Sequence, residues 1–133
     1  MKISATVTNS FNYHVAVVQT NESIQQISIP SKSGGYGSAV NGGEFLMMAL
    51  ATCYCNDLYR EAAKRNISIT RVEVQVHGTF ESEGEPGNGF EYTAKVFSSA
   101  SDEVINELIR HTDTVAEIQN TLRKGVPVKL ICD

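Results

Sequence analysis

Residues 41–53 read NGGEFLMMALATC, and this stretch decides most of what the sequence predicts about the fold. Asn41 and Glu44 have the spacing of a capping box, in which the Asn side chain accepts a bond from the third helical amide and the Glu side chain reaches back. We therefore predict a long helix that begins after Asn41 and runs to Arg65. Asn66 is expected to end it, because Asn tolerates the left-handed backbone of a C-terminal cap.

The two halves of this helix differ in their pattern. Residues 45–51 are apolar on every side, which is typical of a helix that is enclosed on every side. A chain of 133 residues has little material for such a cover. We therefore expect a homodimer without a stable folded monomer. The second half is amphipathic. We expect an inward face of Leu58, Tyr59, Ala62 and Ala63 and an outward face of Arg60, Glu61, Lys64 and Arg65.

Alternation of apolar and polar residues predicts antiparallel strands on both sides of the helix. Three short strands precede it, a long hairpin follows it, and two further helices come next, the first capped by Ser101 and the second by a capping box at Thr114 and Glu117. A last alternation predicts a closing strand, at Val126, Val128, Leu130 and Cys132. The element order is then βββ-α-ββ-αα-β. This is an α+β fold in a single domain, residues 1–133, with antiparallel sheets wrapped around a long central helix.

Composition excludes several classes of function. The chain carries 15 acidic and 11 basic residues, a net charge of −4, which argues against a nucleic-acid-binding surface. The longest apolar stretch, residues 45–55, is shorter than the roughly 20 residues of a membrane span. Residues 1–8 lack the apolar centre of a secretory signal, so we expect a cytoplasmic protein. The glycine-rich residues 30–43 fit neither of the common phosphate-binding spacings, and we expect no cofactor.

The cysteines are the residues that could carry chemistry. Cys53 and Cys55 lie two positions apart on the helix, about 200° around its axis, so one pocket would contain only one of them. Both could equally be small core residues, which is what free cysteines usually are. With Cys132 the count is odd, the histidines are scattered, and we expect neither a disulfide framework nor a metal site.

The segment from Asn41 to Cys53 resembles the central helix of the OsmC/Ohr family, whose pattern is like P-x-E-L-L-L-A-A-L-A-x-C. Residues 64–74, at the end of that helix and the start of the next strand, and residues 120–128, near the C-terminus, are similar to the same family. The resemblance extends over essentially the whole chain, in the same order.

The resemblance implies a function and a set of site residues. The family forms intertwined homodimers with active sites at the subunit interface, and its catalytic members are thiol peroxidases that reduce hydroperoxides, organic ones especially. Cys53 matches the reactive cysteine, and Glu44 matches the helix glutamate that helps to hold the thiolate. No metal or other cofactor is implied.

Two departures from the family pattern matter, at the second cysteine with its proline and at the N-terminal arginine. Ala116 stands where the family has its second, disulfide-forming cysteine, and Glu117 stands where proline follows it. No arginine precedes Arg60, so the N-terminal arginine that steadies the thiolate is absent, and His14 or Lys32 are the candidates for a substitute charge. Without a second cysteine, an oxidised Cys53 would need an external thiol reductant. Cys132 is a formal substitute, although a strand end does not match the family's geometry.

Two hypotheses therefore stay open. In the first, the protein is an OsmC-like stress or redox protein, a one-cysteine thiol peroxidase that reduces organic hydroperoxides through Cys53. In the second, it is a non-enzymatic member of the family that binds a small apolar or thiol-containing ligand at the dimer interface. The fold alone does not distinguish the two, because one fold can serve several functions. Reactivity of Cys53 with peroxide does, since only the first hypothesis requires it.

Overall fold

A computed structural model describes residues 1–132 of the chain. By their internal contacts the residues form two compact units, which meet in the sequence between Phe45 and Leu46. The mixed α+β class predicted from the sequence is confirmed, with antiparallel sheets and three helices. None of these helices is long and apolar enough to cross a membrane.

The first unit is built on a three-stranded antiparallel meander. Strands β1 (Ile3–Ser10), β2 (Tyr13–Thr20) and β3 (Ser23–Ile27) lie in the order β1-β2-β3, as the alternation predicts. Asn12 and Asn21 make the two tight turns with positive φ angles of 54° and 51°. Asn adopts this left-handed backbone more readily than most residues, which explains both turns.

Helix α1 (Gly42–Lys64) begins with the predicted capping box. The Asn41 side-chain oxygen accepts from the Glu44 amide at 2.8 Å, and the Glu44 carboxylate accepts from the Asn41 amide at 3.1 Å. The helix ends where Asn66 takes a φ of 54°, as expected. Along the apolar first half, Leu50 is buried but Met48 is 51% exposed in the single chain.

The second unit packs a hairpin and two helices against α1. Strands β4 (Ile69–Thr79) and β5 (Asn88–Ser98) pair antiparallel, and helices α2 (Asp102–Thr114) and α3 (Glu117–Lys124) follow. The core cluster joins α1 to α2 and to the residue before α3, and apolar side chains of the hairpin cover it. Its buried members are Tyr54, Leu58, Ala62, Leu108 and Ala116.

Four sequence predictions about this unit are wrong. Tyr59 and Ala63 of α1 do not face inward: Tyr59 is 44% exposed in the single chain, and Ala63 is exposed as well. The closing strand is absent from residues 125–132: alternation alone cannot form a strand without a hydrogen-bonding partner, and Val128 is 99% exposed. The capping box at Thr114 is not formed, because Thr114 is the last residue of α2 and its hydroxyl donates to the His111 carbonyl. Glu61 is buried rather than outward, because Arg60, Lys64 and His111 all reach its carboxylate.

Candidate functional site

Cys53 is the centre of a polar cluster in the second unit. Its sulfur lies 3.4 Å from Oδ2 of Asp57 and 3.9 Å from Oε2 of Glu117. Asp57 is one helical turn further along α1, a spacing that places both side chains on the same face. Glu117 is the first residue of α3, 64 positions away in the sequence. The fold thus brings a thiol and two carboxylates together.

Arg60 occupies the other side of the two carboxylates. Its Nη1 forms an ion pair with Oδ1 of Asp57 at 2.9 Å and donates to Oε1 of Glu117 at 3.0 Å. Each carboxylate therefore turns one oxygen towards the guanidinium and the other towards the Cys53 sulfur. Among the described residues the hydrogen bonds of Arg60 go to carboxylates and not to sulfur.

Arg60 is itself held by a buried anchor. Its Nε donates to Oε2 of Glu61 at 2.9 Å, and Lys64 reaches the same oxygen at 2.9 Å. The ring of His111 contacts the other oxygen of Glu61 at 2.9 Å. Bonds from Arg60, Lys64 and His111 lower the pKa of Glu61 to about 2, so this carboxylate is ionised at neutral pH.

Opposing effects act on the Cys53 thiol. Burial raises its pKa above the ordinary value, and the negative charges of Asp57 and Glu117 raise it further. The backbone N–H of Ile118, in the first turn of α3, acts in the opposite direction and lowers the pKa. The net direction is upward, so most of the thiol is protonated at neutral pH.

The two carboxylates are not equivalent. Burial and the neighbouring Glu117 raise the pKa of Asp57, which is only 5% exposed. The pKa of Glu117 is lowered, by a bond with its own backbone N–H, by Asp57 and by Arg60. A proton bound to this pair therefore resides on Asp57, next to the sulfur.

The same donors have the spacing of a metal site. Sγ, Oδ2 and Oε2 all lie within 4.8 Å of one another. A tetrahedral zinc with a sulfur ligand at ~2.3 Å and an oxygen ligand at ~2.1 Å would place the two donors ~3.6 Å apart, close to the observed separations. The positive charge of Arg60 on both carboxylates opposes such an ion. Cysteine and histidine spacings in the sequence do not reveal this grouping, because two of its three donors are carboxylates and Glu117 is distant in the chain.

The other residues predicted for the site lie in the first unit. Glu44 makes the capping box with Asn41, and this structural role accounts for its two hydrogen bonds. His14 lies half-buried on β2, where its Nδ1 is 2.9 Å from the side-chain nitrogen of Asn9. The catalytic roles given to Glu44 and His14 stay predictions. The three cysteines are free, and Cys132 is exposed.

A cavity of about 230 Å³ lies elsewhere in the second unit. Side chains of α1, the hairpin and α3 line it: Leu50, Val76, Phe90, Glu91, Tyr92, Gln119, Leu122 and Arg123. The Gln119 amide nitrogen donates to the Leu50 carbonyl at 3.0 Å, while its buried Oε1 has no partner among the described residues. An unbonded buried oxygen is costly, and a donor group on a ligand would satisfy it.

Comparisons with known proteins identify the fold. The family model described as "OsmC-like protein" matches residues 35–131 and therefore spans the boundary between the two units. No curated protein sequence matches the chain.

Solved structures agree with that family. An organic hydroperoxide resistance protein from Elizabethkingia anophelis is 18% identical with a TM-score of 0.63, over 97% of this chain and 93% of that one. An OsmC-like protein from Mycoplasma pneumoniae is 19% identical with a TM-score of 0.61, over 92% of this chain and 89% of that one. The organic hydroperoxide resistance protein OhrB of Bacillus subtilis is 20% identical with a TM-score of 0.56, over 97% of this chain and 96% of that one. At these identities the structures show the fold alone. With the family model covering most of its length, the chain belongs to the OsmC-like protein family.

Proposed function

We propose that the protein is a one-cysteine thiol peroxidase with a stress or redox role, in which Cys53 reduces organic hydroperoxides. The observation that supports this most is the surroundings of the Cys53 sulfur: a proton acceptor lies at 3.4 Å, and the backbone amide of Ile118 lowers the pKa of the thiol. A thiol needs both to react, because the acceptor removes the proton and the donor stabilises the thiolate. The family resemblance of the surrounding helix independently selects the same residue.

The chemical step uses Asp57 as a proton carrier. The Cys53 proton moves to Oδ2 of Asp57, and the thiolate attacks the distal oxygen of ROOH. The O–O bond breaks, sulfur is oxidised to the sulfenic acid Cys53–SOH, and the leaving alkoxide takes the proton to become ROH. The raised pKa of Asp57 suits this role, since a general base works best when its pKa approaches the operating pH.

The cycle closes with an external thiol, because Ala116 and Glu117 stand where the family has its second cysteine and proline. One thiol attacks the sulfenic sulfur, releases water and leaves a mixed disulfide on Cys53. A second thiol attacks that disulfide and leaves as the oxidised dimer of the reductant, which restores Cys53. We propose that this occurs in the cytoplasm, where such thiols are abundant.

A homodimer is part of the proposal. The single chain leaves Met48 on the apolar half of α1 exposed, together with Val128, Leu130 and Ile131 near the C-terminus. Exposed apolar residues in this number are typical of a surface that a partner covers. A second copy of the chain is the partner that the family resemblance implies.

The decisive experiment follows oxidation of Cys53 by mass. The reduced protein is mixed with cumene hydroperoxide or with hydrogen peroxide, and a sulfenic-acid trap is followed by intact mass. We expect saturable labelling by the organic peroxide that Cys53→Ser abolishes. Cys55→Ser is the matched control, since Cys55 is also half-buried on α1 and should leave labelling unchanged. Labelling no faster than that of a free thiol would reject the peroxidase.

A second candidate function is binding without catalysis, and the cavity lined by Leu50, Gln119 and side chains of the hairpin favours it. Its lining suits a small apolar molecule with one hydroxyl or amide donor for the Gln119 oxygen. Displacement of a fluorescent apolar probe by medium-chain alcohols tests this. Gln119→Leu is expected to weaken binding of the alcohols relative to binding of alkanes of equal length. Equal alcohol affinities in Gln119→Leu and wild type would count against the hypothesis.

A further inference from the structure

The guanidinium of Arg60 is placed to control Cys53 without touching it. Its Nη1 binds one oxygen of Asp57 and one of Glu117, at 2.9 and 3.0 Å. The oxygens left over, Oδ2 and Oε2, are those that face the sulfur. The orientation of both carboxylates towards the thiol therefore depends on a single cation.

We propose that Arg60 is a positioning residue that sets the ionisation of the Cys53 thiol through the two carboxylates it holds. The inference deepens the proposed peroxidase and rests on it, because it assumes that Cys53 is the reacting thiol.

The charges around the sulfur explain why such a cation is needed. Asp57 on α1 and Glu117 on α3 are the titratable groups that face the thiol in the described part of the chain. A thiolate beside two carboxylates would bring three negative charges within a few ångströms of one another. One positive charge bonded to both carboxylates lowers the cost of that state. An arginine does this better than a lysine, because its planar fork binds several oxygens at fixed angles.

The anchor of Arg60 makes the arrangement rigid. Glu61 is buried and accepts from Arg60 Nε, while Lys64 and His111 hold the same carboxylate. A guanidinium fixed on one edge by Glu61 presents Nη1 to the other two carboxylates in one geometry. Side chains that keep a single geometry lose less entropy when the bonds form, and their effect on a neighbour is larger.

The test measures the ionisation of Cys53 directly, in protein with Cys55 and Cys132 replaced by serine and with EDTA present to exclude metal ions. The rate of iodoacetamide alkylation is followed by intact mass from pH 5.5 to pH 10. We expect Arg60→Met to raise the pKa of Cys53 by about one unit, a roughly tenfold loss of thiolate at neutral pH. Arg60→Lys is expected to recover about half of the shift, because charge remains but the fork is lost.

A matched control variant and a mutant cycle distinguish positioning of the carboxylates by Arg60 from a general effect on the structure. The control is Arg65→Met. Arg65 lies five residues after Arg60 and pairs with Glu107 at 3.7 Å rather than with Asp57 or Glu117, so we expect no change in the Cys53 pKa. If Arg60 acts through the carboxylates, the effect of Arg60→Met falls below half in the Asp57→Asn, Glu117→Gln background. An equal effect in both backgrounds, or equal shifts in the Arg60 and Arg65 variants, would overturn the proposal.

The outcome is separable from that of the peroxidase. A pKa shift with no reaction towards cumene hydroperoxide would support the positioning role and reject the proposed function. Peroxide reactivity with no pKa shift would do the reverse. Thermal melting of each variant checks folding. If Arg60→Met does not fold, the comparison of Arg60→Lys and Arg60→Gln with wild type decides, and equal Cys53 pKa values in all three would overturn the proposal.

Discussion

Replacement of Glu117 by glutamine should make Cys53 a more acidic thiol. The Glu117 carboxylate lies 3.9 Å from the sulfur, and its negative charge opposes formation of the thiolate. With the dielectric of water, Coulomb's law gives about 1 kcal/mol at this distance; with the value used for partly buried pairs it gives about 4 kcal/mol. The Glu117 side chain is 63% exposed, so the smaller figure applies.

One kcal/mol corresponds to a change of about 0.7 pKa unit. We therefore expect Glu117→Gln to lower the pKa of Cys53 by about 0.7 unit and to raise the thiolate fraction at neutral pH about fivefold. The assay is the pH dependence of iodoacetamide alkylation in the protein whose other two cysteines are serine. Salt provides a second check, because a screened surface charge loses its effect at high ionic strength.

Glu107→Gln is the matched control. Glu107 is another exposed helical glutamate that pairs with an arginine, Arg65, and its side chain is 70% exposed. It is not among the groups that act on the Cys53 thiol, so its replacement should leave the alkylation profile unchanged. A Cys53 pKa that is the same or higher in Glu117→Gln than in wild type would refute the electrostatic account of this site.

Three further predictions concern stability and assembly. The pKa of Glu61 is lowered to about 2 in the folded protein, so its ion pairs stabilise the fold above the unfolded pKa near 4.5 and are lost as the pH falls towards 2. Urea titrations at pH 6 and pH 3 should therefore show a smaller loss of unfolding free energy at the lower pH in Glu61→Gln than in wild type. The loop variant Glu83→Gln is the control and should lose as much as wild type. Leu58→Ala should cost about 2–5 kcal/mol of unfolding free energy, since Leu58 is fully buried in the core, whereas half-exposed Val104→Ala should cost much less in the same urea titration. Sedimentation at micromolar concentration should show a dimer, and Met48→Glu should weaken the dimer and lower the thermal melting temperature with it, because no stable folded monomer is expected. A monomeric wild type would contradict the proposed assembly.

Several features of the fold follow from local sequence patterns. Three predictions are confirmed: the Asn41–Glu44 capping box, the left-handed Asn66, and the strands of the meander and of the β4–β5 hairpin. Each depends on residues a few positions apart. The closing strand fails for the opposite reason: alternation describes side chains, whereas a strand also needs backbone partners, and residues 125–132 form none in the single chain.

The α+β class, the central helix and the family resemblance follow from the sequence alone, and Cys53 as the reacting residue is a prediction from the same source. The i, i+4 spacing of Cys53 and Asp57 is also a local signal in the sequence. Three features of the site depend on contacts between elements that are distant in the sequence: Glu117 joins this pair from 64 residues away, Arg60 binds both carboxylates, and Glu61 is buried as the anchor. These contacts depend on how α3 packs against α1, and helical periodicity carries no information about the packing of one helix against another.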